Sequence, residues 1–201
     1  MNMKWTLLVG SLLILSLWSC GGKEEEQEKE EPKNAMEAIQ QMADKAKEMQ
    51  EKGPVDPVDF RSLKDLLPDE AAGLERTEAT GEKNGAMGFS ISQAQGKYEK
   101  DDARIEVEIL DTGGVGGMAM MGMAAWSMAE VDKETKSGYE KTTRINGMKA
   151  YEKYDNDGQD GEVNVIVADR FVVNVKGRNV TMDQIKDTLH ELDLNKLAKL
   201  E

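Results

Sequence analysis

The chain has 201 residues, a formal charge of −13 and 39% hydrophobic residues. Binding to nucleic-acid phosphates needs clustered Lys and Arg that displace counterions, so the acidic balance excludes nucleic acid as a partner and opposes adsorption to anionic lipid. The length suits one core of ordinary size plus accessory segments, and the low hydrophobic share implies that part of the chain is not packed.

Met1 to Lys4 carries one positive side chain, and Trp5 to Trp18 is an almost uninterrupted apolar run of about 14 residues. Crossing ~30 Å of hydrocarbon takes about 20 residues, so the run has signal-peptide length. Leu17-Trp18-Ser19-Cys20 follows. This tetrapeptide resembles the lipobox of bacterial lipoproteins: an aliphatic residue three places before the cut, a small one at the last place, then cysteine. Trp18 stands where a small residue is usual. The resemblance implies that residues 1–19 are removed and that the Cys20 sulfur carries a diacylglyceryl group, which makes the membrane a partner through lipid. Cys20 is the only cysteine, so no internal disulfide is open to it and lipidation gives the thiol a use. Several acyl chains, at about 0.8 kcal/mol per buried CH₂, make such an anchor effectively permanent.

Residues 20–34 read as the lipidated cysteine and an acidic tether, since Glu24, Glu25, Glu26, Glu28, Glu30 and Glu31 leave nothing apolar to bury. Gly21 stands where an Asp would resemble an inner-membrane retention signal, which points to the outer membrane. Lys23 and the acids after it resemble the surface-export signals of Bacteroidetes-type lipoproteins, so the periplasmic and the cell-surface side both stay open.

Residues 35–58 are expected to be a helix and a Pro-rich linker. Met36, Ile39, Met42, Ala43, Ala46 and Met49 recur at helical spacing over Ala35–Lys52, and Gly53-Pro54 stops them. Pro57 and Pro68 continue the linker, with a short helical turn around Ser62–Leu67.

The folded domain is expected over residues 59–201. Period-two alternation starts near Met87, with Met87, Phe89 and Ile91 on one face and Ser90 and Ser92 on the other, and returns at Ile105, Val107 and Ile109. Lys100-Asp101-Asp102 turns between the two strands. A helix is expected from Thr112–Gly117 to about Val131. Four strands follow near Tyr139–Ile145, Met148–Tyr154, Glu162–Ala168 and Phe171–Lys176. Asn146-Gly147 is the strongest short hairpin signal among their turns, because both central residues of a type I′ turn need positive φ. Thr181 and Gln184 make a capping box that opens a helix with Met182, Ile185, Leu189 and Leu192 inward. The order β-β-α-β-β-β-β-α gives an α+β domain, an antiparallel sheet of about six strands packed by helices. This succession, over roughly residues 60–200, resembles the Mog1/PsbP-like sandwich; the whole chain resembles Bacteroidetes-type lipoproteins. Neither resemblance implies a catalytic residue or a cofactor.

Several constellations bear on chemistry. His190 is the only histidine; it falls off the apolar stripe beside Lys186, so a triad and the usual zinc sets lack their residues. Asp111-Thr112-Gly113 resembles the aspartic-protease triplet, which needs a second carboxylate to share its proton, whereas a glycine turn after a strand needs none. Gly113 to Gly117 lacks the Lys-Ser/Thr of a P-loop. Asp155, Asp157 and Asp160 form a carboxylate-rich loop suited by charge to Ca²⁺, although Asp160 stands where the EF-hand glycine belongs; the other reading is a solvated hairpin. Val115–Ala129 is uncharged and holds Met118, Met120, Met121, Met123, Trp126 and Met128. Flexible Met can fill gaps in a helix packed on the sheet, line a groove for an apolar ligand or partner, or offer soft thioethers to Cu(I). The sequence thus suggests a non-catalytic envelope lipoprotein that binds or scaffolds another envelope protein, with metal handling as the alternative.

Overall fold

Ala72-Gly73, Asn146-Gly147 and Ala168-Asp169 all take positive φ at both residues, the twist that tight hairpins require. The computed structural model describes Met36, Gln40 and Asp44, then residues 55–86, 89–113 and 130–200. The chain enters through the one-turn helix α1 (Phe60–Lys64), whose Asp59 cap accepts a hydrogen bond from the Arg61 amide, and Leu63 is fully buried. The strands β1 (Glu70–Ala71), β2 (Leu74–Ala86), β3 (Phe89–Lys100) and β4 (Ala103–Asp111) follow as one meander. A second meander contains β5 (Asp132–Glu134), β6 (Gly138–Ile145), β7 (Met148–Asp155), β8 (Asp160–Val167) and β9 (Phe171–Arg178). Antiparallel pairing of β4 with β9 fuses them into a nine-stranded sheet in the order β1-β2-β3-β4-β9-β8-β7-β6-β5.

Two short helices close the described chain, α2 (Met182–Glu191) and α3 (Leu194–Leu197). The expected capping box is present at the start of α2: the Gln184 amide donates to Thr181 Oγ1 at 3.2 Å and the Thr181 amide to Gln184 Oε1 at 3.0 Å. Its buried face is Met182, Ile185, Thr188 and Leu189. Ile185 seats on Gly161 and Gly177, which are register partners on β8 and β9; a Cβ on Gly177 would stand 2.7 Å from Ile185 Cγ1. Only glycine lets the helix approach that closely.

The core lies on the helix side of the sheet. Ile105, Val107 and Ile109 of β4, Val173 and Val175 of β9, and Val163 and Val165 of β8 are all nearly or fully buried there. The architecture is mostly antiparallel sheet with few helices, and among the described residues it has nine strands where about six were expected. The additional strands are β1, β2 and β5. β2 escapes notice because, beyond Leu74 at its start, the positions it turns toward the core include Ala79 and Gly81, and Phe60 of α1 covers Gly81 in place of a side chain of its own.

β3 alternates as expected, but the buried face is the opposite one. Ser92, Ala94 and Tyr98 are fully buried, while Ile91 is 39% exposed. Most of the helix expected from Thr112–Gly117 to about Val131 lies outside the described residues; at its two ends Thr112, Gly113, Glu130 and Val131 are not helical, and Val131 bonds to Thr142. Packing begins upstream of Asp59, with Val58 in the core. Met36, Gln40 and Asp44 are helical, and Met36 is 76% exposed, so the first residue of the expected apolar stripe is not packed.

Candidate functional site

The sheet face turned away from the helices is laid out in rows, because in antiparallel strands register partners share a face. One row begins with Glu78 on β2, paired with Lys97, then Glu106 on β4 and Lys176 on β9. It continues through Glu162 on β8 and Lys153 on β7 to Glu140 on β6 and Lys133 on β5. Sign changes at every strand, eight strands wide. Lys97 Nζ lies 2.6 Å from Glu78, and Lys133 and Lys153 lie 3.5 and 3.6 Å from Glu140. The hydrogen bond to Glu78 holds the Lys97 ammonium above its ordinary pKa. Burial pushes Glu140 upward, yet Lys133 and Lys153 together hold it below the usual carboxylate range.

Above this ladder runs an amide row in which Asn174 Nδ2 donates to Asn164 Oδ1 at 2.7 Å, and above that Leu110, Val172 and Ile166 stand side by side, half-buried. Below it, Arg104 and Arg178 neighbour one another, as do Asp160 and Asp155. A trough of about 640 Å³ opens over the two charged rows, bordered by Glu106, Lys176, Glu162, Lys153, Arg178 and Asp155 among others. The arrangement can make many charge-assisted contacts to a broad partner.

On the helix side two polar centres are buried. Asp111 is fully buried and accepts from Val58 N, Gly113 N, and Arg170 Nε and Nη2, each at 2.8 Å. The guanidinium also donates to Asp56 O and Leu200 O at 3.4 Å. Residues 55–58 are thereby strapped over the end of the sheet, with Val55 N donating to Gly113 O and Lys83 Nζ to Pro57 O. The Asp-Thr-Gly triplet is thus a structural clamp: its carboxylate is occupied by Arg170 and two amides. Glu152, only 2% exposed, holds Lys186 of α2 at 2.9 Å and Lys141 at 3.5 Å, with the Tyr139 hydroxyl at 3.4 Å. Burial, and then the Glu152 charge, push Tyr139 up to about 12. Sequence reasoning missed Arg170 and the outer rows, which depend on pairing between distant strands, and Glu152, which depends on α2 docking against β7.

Asp155 Oδ1 accepts from the Asp157 and Gly158 amides at 2.9 Å, which commits it to its own turn, and Asp160 faces Arg178 at 3.8 Å. Among the described residues no three His, Cys, Asp or Glu side chains group to hold a metal ion. His190 is exposed beside Asp187 and Glu191, as its position off the stripe implies. Cys20 and the Met-rich set Met118, Met120, Met121, Met123, Trp126 and Met128 lie outside the described residues. Comparison with known protein families, with curated proteins and with solved structures finds no match.

Proposed function

We propose that this chain is a lipid-anchored envelope lipoprotein, held at the outer membrane through Cys20, whose folded domain is a non-catalytic binding or scaffolding module. The apolar run ending in Leu17-Trp18-Ser19-Cys20 and the acidic segment after it support the anchor and the address. The observation that carries binding is the outer sheet face. Its ordered charged rows and open trough offer a wide surface for a macromolecule, while the described helices pack on the other side. Among the described residues the two most buried carboxylates, Asp111 and Glu152, are held by Arg170 and by Lys141 and Lys186, a state that suits holding the fold together rather than moving protons.

Labelled palmitate should enter the wild-type chain and not Cys20→Ser, and intact mass should show residues 1–19 removed. Unlabelled wild-type protein, or retention of those residues, refutes the anchor. Affinity capture from solubilised envelopes tests the binding module: a partner lost when outer-face charges are reversed is expected, and capture that is indifferent to those charges refutes the face as the site.

A further inference from the structure

Strand pairing alone does not account for the charge pattern of the outer face. Alternation in the ladder satisfies neighbours within the sheet, but the row below it, although Glu99 flanks Arg104 and Asp160 flanks Arg178, also sets Arg104 beside Arg178 and Asp160 beside Asp155. Like charges directly opposite one another are unfavourable in a sheet. What the two rows share is antisymmetry about the line between β9 and β8. In the ladder, Lys176 is mirrored by Glu162, Glu106 by Lys153 and Lys97 by Glu140. In the lower row Arg178 is mirrored by Asp160 and Arg104 by Asp155.

A two-fold axis along the strands at that line would lay this face on the same face of a second molecule. In the four central strands every cation just named then meets an anion, including Arg104 and Arg178, whose ion pairs within one sheet are exposed ones to Glu99 at 3.4 Å and Asp160 at 3.8 Å. At the apolar row Val172 meets Ile166, and at the amide row Asn174 meets Asn164. We infer that the outer face docks a second copy of this chain, through an isologous contact centred on β4, β9, β8 and β7. The inference rests on reading this face as a binding surface and names its partner; it does not depend on the lipid anchor.

Size sets the character of the contact. Twist of about 20–25° per strand turns the outer strands away, leaving four strands and four rows in reach. That patch is about 14 Å by 20 Å between its outermost Cα positions, on the order of 500 Å² per copy with side chains. Standard interfaces use about 800 Å² per partner, so the dimer is weak and governed by charge. The trough of about 640 Å³ gives the incoming side chains room.

The test mixes unlabelled and heavy-isotope full-length chain, solubilised in non-ionic detergent, and treats it with a zero-length carbodiimide that joins an amine to a carboxylate in contact. Glu106 and Lys153 stand three strands apart in one sheet, about 14 Å, too far to be joined within a copy. Mixed-isotope links of Glu106 to Lys153 are expected at low salt, and their loss at high salt. K153E should weaken the sedimentation dimer at least tenfold. E106K/K153E should restore it, although that exchange places three cations and then three anions side by side within each sheet. Circular dichroism confirms that the variants fold. A wild type without mixed-isotope links from this face, or a double variant that does not recover, overturns the inference. Capture of a different protein by a chain that stays monomeric overturns self-docking and leaves the binding module standing.

Discussion

Removing the Asp111 carboxylate should be among the most damaging single changes in the domain. The group is fully buried and receives four hydrogen bonds at 2.8 Å, two of them from Arg170, whose side chain is 15% exposed. Asp111→Ala leaves a largely buried guanidinium without its counter-charge, which costs about 3–5 kcal/mol, against a typical domain stability of about 5–15 kcal/mol. Arg170→Ala should cost less, because the Val58 and Gly113 amides still donate to Asp111. The double variant removes both charges, so it should be less destabilised than the two single losses added together, by more than about 1 kcal/mol. Urea unfolding followed by far-UV circular dichroism gives each term from midpoint and slope. Hydrogen exchange adds a local readout: the Val58 amide, which donates to Asp111, should exchange faster in Asp111→Ala than the amides of β8. A loss under about 1 kcal/mol, or strict additivity, would show that the clamp is not a coupled unit.

Gly113→Ala should release the strap at residues 55–58, since φ is +66° and a Cβ would stand 2.2 Å from Val55 O; a loss of at least about 1–3 kcal/mol and deprotection of the Val58 amide are the expected results. Burial pushes the fully buried Tyr98 up to about 12 from 10.0. Its folded-state pKa is raised, so its contribution is fully present below pH 10 and is lost as pH rises toward 12, on the order of 3 kcal/mol in all. Unfolding measured across that window should show the decline in wild type and a flatter profile in Tyr98→Phe. Thr181→Ala removes the acceptor for the Gln184 amide and should cost about 0.5–2 kcal/mol by urea titration. Calcium should leave the melting temperature unchanged, because Asp155 is already occupied by two backbone amides; a rise that grows with concentration would contradict that assignment.

Local chemistry made much of this fold legible before any tertiary contact was considered. Alternating Ile105, Val107 and Ile109 marked β4, Asn146-Gly147 marked a hairpin, and Thr181 with Gln184 marked the start of α2. Each signal is carried by residues within a few positions of one another, where sterics, side-chain period and capping act without help from the rest of the chain. The Leu17-Trp18-Ser19-Cys20 pattern behind the proposed anchor is equally local, as is the run of acidic residues after it.

Tertiary structure alone settled which face of β3 is buried. Ser92 and Ala94 go inside and Ile91 outside on a strand against which α1 packs, with Phe60 over Gly81 of β2 and Tyr98 over Gly96. The partner of Asp111 is 59 residues away at Arg170. The charge ladder likewise exists only once β4 has paired with β9 and joined two meanders. Amino-acid order fixed each strand's own alternation of polar and apolar side chains, but register between distant strands, and hence the pattern of the outer face, is a property of the assembled sheet.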